Sequence, residues 1–554
     1  MQHHIPTGTG SFPRDVDGLP FASRTPDLRL ADGDQLDLRI GPVANRIGDA
    51  VVRMLAYNGS IPGPTLRVAQ GSEIVVNVTN EGDVAATVHW HGLRLDNRYD
   101  GVPHETQQPI PVGGTFTYRV RFPDEGLYWY HPHIREDYTL DMGLYGNIVV
   151  EPSDPDYWPA VDRDVVLAID DFLLEEGRAA AYDRSGPDHV AMGRFGNVLL
   201  VNGASEWSLD VRRGEVVRFF LTNMANTRVF NIRFAGATMK LVGGDSGRYE
   251  HEEFVEEVLI APSERAVVDV LFDEPGEAVI EHATPDQVAV LGRISISDQG
   301  IPSPAAGTFR TLRRSQELES DRERIRADLE REPDKVLALV AEMDVAVPSG
   351  DDTVRSGPRF ACPMDPEVVS DVPGRCPKCG MKLLPIDLVP AALALVDEAP
   401  QGSEHAGGGE EHGHAAGTIE WEDTMEDVNR MTTSGNMRWL LVDRQTGGQN
   451  AGIEWAFTVG DRVKIRLVNE MDSDHPMHHP FHIHGAGRFL VLSRDGVTEP
   501  NLVWKDTVLV RTGEVVDILL DVSNPGLWMA HCHIAEHAAS GMMFSFNVAR
   551  ADAV

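Results

Sequence analysis

PTLRVAQGSEIVVNVTN, residues 64–80, alternates apolar and polar side chains on both sides of a Gln-Gly turn and closes on an asparagine. Alternation with a period of two puts every second side chain on one face, which is how half-buried strands read. The pattern returns as WSLDVRRGEVVRFFLTN (207–223) and as WAFTVGDRVKIRLVN (455–469). Roughly sixty residues after each copy comes a second shared element. These elements are DEGLYWYHPH (124–133), EPGEAVIEHA (274–283) and NPGLWMAHCH (524–533). Three copies of one strand–turn–strand unit, punctuated by Gly and Pro, predict an all-β chain of three antiparallel sandwiches. The middle copy ends in His282-Ala283 and lacks the paired histidines of the other two, so it is expected to be structural.

Composition bounds the function. A chain of 554 residues is too long for one core and calls for three or four domains. A hydrophobic fraction of 42% marks it as folded. The net charge of −37 excludes nucleic acid and anionic membranes as partners, since both would repel this surface. No apolar run is long enough to span a bilayer. The start, MQHHIPTGTGSFPRDVDG, has no apolar core of a secretory signal, so either the chain works where it is made or a leader has been removed. Three of the four cysteines, Cys362, Cys376 and Cys379, cluster while Cys532 stands alone, a distribution that suits metal ligation better than disulfides.

Repeat spacing locates an insertion. The turn glycines Gly71, Gly214 and Gly460 are unevenly spaced, the second interval being longer by roughly a hundred residues, the size of a small domain. The expected layout is a first sandwich at 30–155, a second at 156–300, an insertion at 301–417 and a third sandwich at 418–554. Within the insertion, RTLRRSQELESDRERIRADLEREPDKVLALVAEM (310–343) is charged and helical by composition. A cysteine-containing module (352–389) follows, then EHAGGGEEHGHAAG (404–417), a flexible linker whose His405, His412 and His414 read as linker more than as ligands.

Four His-x-His pairs stand out: His89/His91, His131/His133, His482/His484 and His531/His533. Residues i and i+2 on a strand share a face, so each pair presents two imidazoles side by side. Two pairs belong to the first sandwich and two to the last, so eight imidazoles converge if those sandwiches meet. One such pair is usually an ordinary surface or core feature; four at matching places in repeats are not. A separate set combines the Cys532 thiolate with His479 and His537, and with Met542 as a weak axial thioether, the donor set of a blue-copper electron-transfer site. Cys532 lies between His531 and His533, giving a short through-bond route from that site into the histidine cluster.

The four motifs, in this order and spacing, resemble the multicopper oxidases, including laccases and bacterial cuprous oxidases. The resemblance covers roughly residues 30–300 and 418–550. It implies three cupredoxin-like Greek-key β-sandwiches and four copper ions. By it, His479, Cys532, His537 and Met542 hold type 1 copper, and His89 and His482 hold type 2. His91, His131, His133, His484, His531 and His533 hold the binuclear type 3 pair. The implied reaction couples four one-electron oxidations of a small donor to reduction of O2 to water. Asp100, in YDGVP, matches the family's aspartate beside the trinuclear cluster, and a proton relay is expected there, with an Asp-Gly turn as the plainer reading. Ala538 stands where many bacterial members carry a glutamate, and Glu536 lies nearby. The resemblance also favours a place outside the cytoplasm.

The segment ACPMDPEVVSDVPGRCPKCGMKLLP (361–385) resembles the heavy-metal-binding module attached to bacterial efflux proteins, with Asp365 where that module has histidine. Cys362, Asp365, Cys376 and Cys379 could hold zinc or copper, either as a structural knuckle or for metal acquisition. The expected enzyme is laccase-like, with phenolic or similar donors. The alternatives are a cuprous oxidase of copper tolerance and, outside enzymes, a copper carrier without turnover.

Overall fold

The computed structural model describes residues 10–344, 360–398 and 418–551. The linker 404–417, with His405, His412 and His414, and the first part of the cysteine module, 352–359, lie outside the described residues.

Each sequence repeat builds one sandwich of two sheets: five and four strands in the first, six and five in the middle, six and five in the third. Alternation becomes burial directly, as in Glu73–Asn80, where inward residues are buried and outward ones half-buried. In each sandwich a strand that precedes the repeat also runs parallel to the repeat's second strand. Gln35–Ile47 runs beside Glu73–Asn80, Arg163–Phe172 beside Glu215–Asn223, and Lys335–Met343 beside Arg462–Asn469.

That third pairing corrects the expected layout. Helix does form over Gln316–Arg324 and Arg326–Glu330, but Lys335–Met343 is a strand inside a sheet of the third sandwich. The insertion therefore does not precede the third sandwich at 418; the cysteine module interrupts it after its opening strand. The apolar run KVLALVAEM buries most of its side chains between neighbours on both sides, where tertiary pairing outweighs the helical composition before it. The module itself is a three-stranded sheet of Phe360–Ala361, Val369–Ser370 and Leu384–Pro385, followed by the helix Pro390–Glu398. Its described residues form no separate core. Cys362, Cys376, Cys379 and Met381 pack into the same apolar core as Met477, Cys532 and Met542.

The asparagine that ends each repeat has one structural job. Asn80 donates its side-chain amide to Val84 O and Ile110 O, Asn223 to Arg228 O and Ile260 O, and Asn469 to Met477 O and Arg511 O. It pins the loop leading to the next strand, and in the outer sandwiches that strand carries a His-x-His pair. His89 faces His131 across antiparallel strands in the first sandwich, and His482 faces His531 in the third. The middle sandwich keeps the pairing but sets Arg233 opposite Glu281, joined by a 2.9 Å ion pair. Among the described residues no helix is long and apolar enough to cross a membrane.

Candidate metal centres

The eight paired histidines meet where the first and third sandwiches touch, and all are buried. Ligand atoms of His91, His131 and His533 lie within 4.8 Å of one another, and so do those of His133, His484 and His531. His89, His91 and His482 form a third such group. The rings are oriented from outside the cluster. His89 Nδ1 donates to Asp100 O (2.8 Å), His131 Nδ1 to Pro132 O (2.8 Å), His482 Nδ1 to Asp506 O (2.9 Å) and His531 Nδ1 to Cys532 O (2.9 Å). A carbonyl can only accept, so in each ring the proton sits on Nδ1 and the Nε2 lone pair points inward. His91 is turned the other way: its Nε2 meets Asp506 Oδ1 at 2.9 Å, leaving Nδ1 for the cluster.

Among the described residues the inward nitrogens of His89, His91, His131, His482 and His533 have no hydrogen-bond partner, and His484 Nε2 lies only 3.1 Å from His531 Nε2. Burial drives His91, His131, His482, His484 and His533 well below the usual imidazole range, and His531 down to about 4. Burial also opposes charge on His89, but Asp100 outweighs it and raises that ring. Neutral lone pairs packed face to face repel unless a cation lies between them, so this donor set fits bound metal ions.

The second centre sits behind the first. Strand Gly526–Cys532 delivers Cys532, and the short helix Ala535–Ala539 delivers His537. Both imidazoles turn Nδ1 towards Cys532 Sγ, His479 at 3.5 Å and His537 at 3.7 Å. Met542 is fully buried beside them, its N–H held by His537 O. Burial pushes the Cys532 thiol up, so the thiolate requires a bound cation. Thiolate, two imidazoles and a thioether are soft enough to select copper. Trp439 covers this centre. It stacks on His537 at 4.0 Å, meets His479 edge-on at 4.8 Å, and is fixed by a 2.7 Å bond from Nε1 to Val190 O.

Asp100 is fully buried, its Oδ2 2.8 Å from His484 Nδ1 and its Oδ1 3.3 Å from His89 Nδ1. Burial works against its charge, but the two histidines outweigh burial and hold the carboxyl well below the usual range. Asp100 therefore sits beside the cluster, and it does so in the Asp-Gly turn. Gly101 has φ +86°, and a Cβ there would come within 2.1 Å of Val88 O, so the Asp-Gly turn is what lets Asp100 reach the cluster. Ala538 is buried and Glu536 is fully buried, with no hydrogen-bond partner among the described residues at either carboxyl oxygen.

The sequence reading missed four supporting residues. Asp506 orients His91 and is clamped by Arg265 of the middle sandwich, with Nη1 to Oδ1 at 2.7 Å and Nη2 to Oδ2 at 2.5 Å. Burial alone would raise its carboxyl, but Arg265 holds it at about 2. Gly92, the glycine of HWHG, makes room for it, since a Cβ there would sit 2.4 Å from Asp506 Oδ2. Glu136 lies 3.1 Å from His133 Nδ1, and burial lifts its carboxyl to about 7. A charged residue opening the apolar strand run DTVLV was the only local signal for Asp506.

In the insertion, Cys362, Asp365, Cys376 and Cys379 also converge, their ligand atoms all within 4.8 Å.

Comparison with known proteins agrees with this architecture. Models of the family described as multicopper oxidase match residues 42–155, 163–280 and 421–552, and a heavy metal binding domain matches 359–386. Multicopper oxidase MmcO of Mycobacterium tuberculosis is 26% identical, over 90% of this chain and 84% of its own length. Laccase-15 of rice, Oryza sativa subsp. japonica, is 25% identical over 89% of this chain and 86% of its own. Copper resistance protein A of Pseudomonas syringae pv. tomato is 28% identical over 46% of this chain and 48% of its own. Among solved structures, a Campylobacter jejuni multicopper oxidase described as a metallo-oxidase superposes with a TM-score of 0.62 at 20% identity, covering 98% of this chain and 99% of that one.

Proposed function

We propose that this chain, which belongs to the multicopper oxidases, takes electrons singly from a small donor at Cys532 and delivers them to O2 at the histidine cluster. The supporting observation is the tripeptide His531-Cys532-His533. It is the shared wall of two buried donor sets, one with sulfur and one of imidazoles alone. His479, Cys532, His537 and Met542 would hold type 1 copper. The triads His91–His131–His533 and His133–His484–His531 would each hold one type 3 ion, and His89 with His482 the type 2 ion. Copper bound there supplies reversible one-electron transfer and the place where O2 takes up four electrons and four protons to become two waters.

The chain's own groups do the rest. Cys532 is joined to both neighbouring imidazoles by covalent bonds alone. Asp100, as an ionised acceptor, keeps His484 in the tautomer that leaves Nε2 for metal. Glu136, with a carboxyl near neutrality, can accept from His133 Nδ1 at Oε1 and hold a proton on Oε2. Measuring O2 uptake against donor consumed tests the whole reading. One O2 per four electrons supports it, and copper binding without uptake would make the protein a carrier.

Two donors remain in view, phenols and cuprous ion, and the cover over type 1 favours the smaller. His479 and His537 are 1% and 0% exposed, beneath Trp439 and the segment holding Val190 and Met192. A phenol needs an open imidazole edge to lie against. A metal ion needs only donors, and His475 Nε2 lies 3.1 Å from Met192 Sδ in that cover. The relative named copper resistance protein A points the same way. The deciding measurement is kcat/KM for Cu(I) and for a substituted phenol on one preparation. A larger value for the phenol returns the laccase reading.

A further inference from the structure

The cysteine module grips the loop that carries a type 1 ligand. Lys382 N donates to Asp474 O at 2.9 Å, and Lys382 Nζ reaches Asp474 Oδ2 at 3.2 Å. Arg375 donates to Ser473 O and pairs with Asp474. Gly380, at φ +77°, turns the knuckle beside the loop, where an added Cβ would come within 3.5 Å of Met471 and Pro476. On its other side the loop is tied to the opening strand of the third sandwich, with Asp474 N bonded to Ala341 O at 3.0 Å. His479 begins only a few residues further on, at the head of its strand.

The cluster inside the module has the dimensions of a particular kind of site. Cys362 Sγ lies 3.4 Å from Cys379 Sγ and 3.6 Å from Asp365 Oδ2, and Cys376 Sγ lies 3.2 Å from the same oxygen. A tetrahedral zinc ion with Zn–S of about 2.3 Å and Zn–O of about 2.1 Å would set sulfurs about 3.8 Å apart and sulfur to oxygen about 3.6 Å apart. Cuprous ion prefers soft donors in a lower coordination number and has no use for a carboxylate. Three thiols and an acid pressed together also repel once ionised, so the cluster closes only around a cation. A segment this short cannot bury a core unaided, which gives such an ion a folding role.

We propose that Cys362, Asp365, Cys376 and Cys379 bind one divalent ion of the zinc class, and that this ion, by stiffening the module that clamps residues 471–477, positions His479 at the type 1 site. The module is then a fixed brace and not a store of cuprous substrate. The coupling rests on the type 1 assignment above; the zinc site does not.

The test uses the full chain. Metal analysis and zinc X-ray absorption of the copper-loaded protein should find one zinc per chain with three sulfur ligands and one oxygen. Copper at this site, or no metal, overturns the proposal. Cys376→Ser should lose the zinc, shift the blue band and the type 1 electron paramagnetic resonance, and weaken type 1 copper retention roughly tenfold. The type 2 resonance should not move. Because that variant could unfold the module, Arg375→Ala serves beside it. It keeps the zinc, breaks the grip on Ser473 and Asp474, and should shift the type 1 signature in the same direction by less. A type 1 signature unmoved in both variants overturns the coupling. A wild type lacking the blue band would sink the type 1 assignment and the coupling with it, while leaving the zinc count to stand by itself.

Discussion

In the first sandwich His131 faces His89 across two antiparallel strands, and at the matching place in the middle sandwich Glu281 faces Arg233. The sheets around both pairs are alike, because a strand pair needs inward apolar alternation and backbone bonds, not any one side chain at its end. Ligands can thus be lost without losing the fold. Yet the middle sandwich still serves the cluster, from another strand. Arg265 on Arg265–Phe272 clamps Asp506, which in turn orients His91. One sandwich supplies clustered imidazoles, and the other supplies the charge that fixes one of them.

The comparison breaks most visibly at the outer sandwiches. Cys532→Ser should abolish the blue absorption and reduce turnover to background while the other coppers stay bound. A blue Cys532→Ser protein would remove the type 1 assignment.

Arg265→Ala should come next. It leaves Asp506 buried without its countercharge, a loss of about 3–5 kcal/mol, measurable by denaturant unfolding, with lower copper occupancy. Asp506 is held at about 2 against an ordinary 3.8. Its contribution is therefore full above about pH 4 and drains away as pH falls towards 2. Arg265→Ala should flatten that acid-side slope, and an unchanged slope would mean the clamp is not the cause.

A smaller effect is expected from Asp100→Asn. Stopped-flow reoxidation by O2 should slow roughly 10- to 100-fold, while anaerobic reduction of type 1 by donor stays near the wild-type rate. Equal slowing of both half-reactions would make Asp100 purely structural.

Least should follow from replacing the Arg233–Glu281 pair by Thr and Val. Its side chains are 37% and 18% exposed, so the change should fall within about 1 kcal/mol by thermal unfolding and leave turnover alone. A large loss there would show that the middle sandwich depends on its end pair after all.

The clustered histidines and Cys532 were legible because each is part of a local pattern. Period-two strands carry two histidines to one face, and Cys532 marks itself by standing between two of them. The boundary of the third sandwich was not legible. KVLALVAEM follows two charged helical turns, and a short apolar run has no periodicity that separates strand from helix. Only pairing with Met437–Asp443 and Arg462–Asn469 decides it.

By itself the sequence determined three sandwiches, which of them carry the paired histidines, and the softness of each candidate donor set, since strand alternation and donor type are properties of neighbouring residues. Tertiary structure alone decided what holds those donors. Arg265 and Asp506, Lys382 and Asp474, Trp439 and Val190 are lone residues far apart in the chain, with no pattern to announce them. Each pair forms because closing the interface removes water from a charge, a donor or a ring, and the nearest complementary group must then replace it.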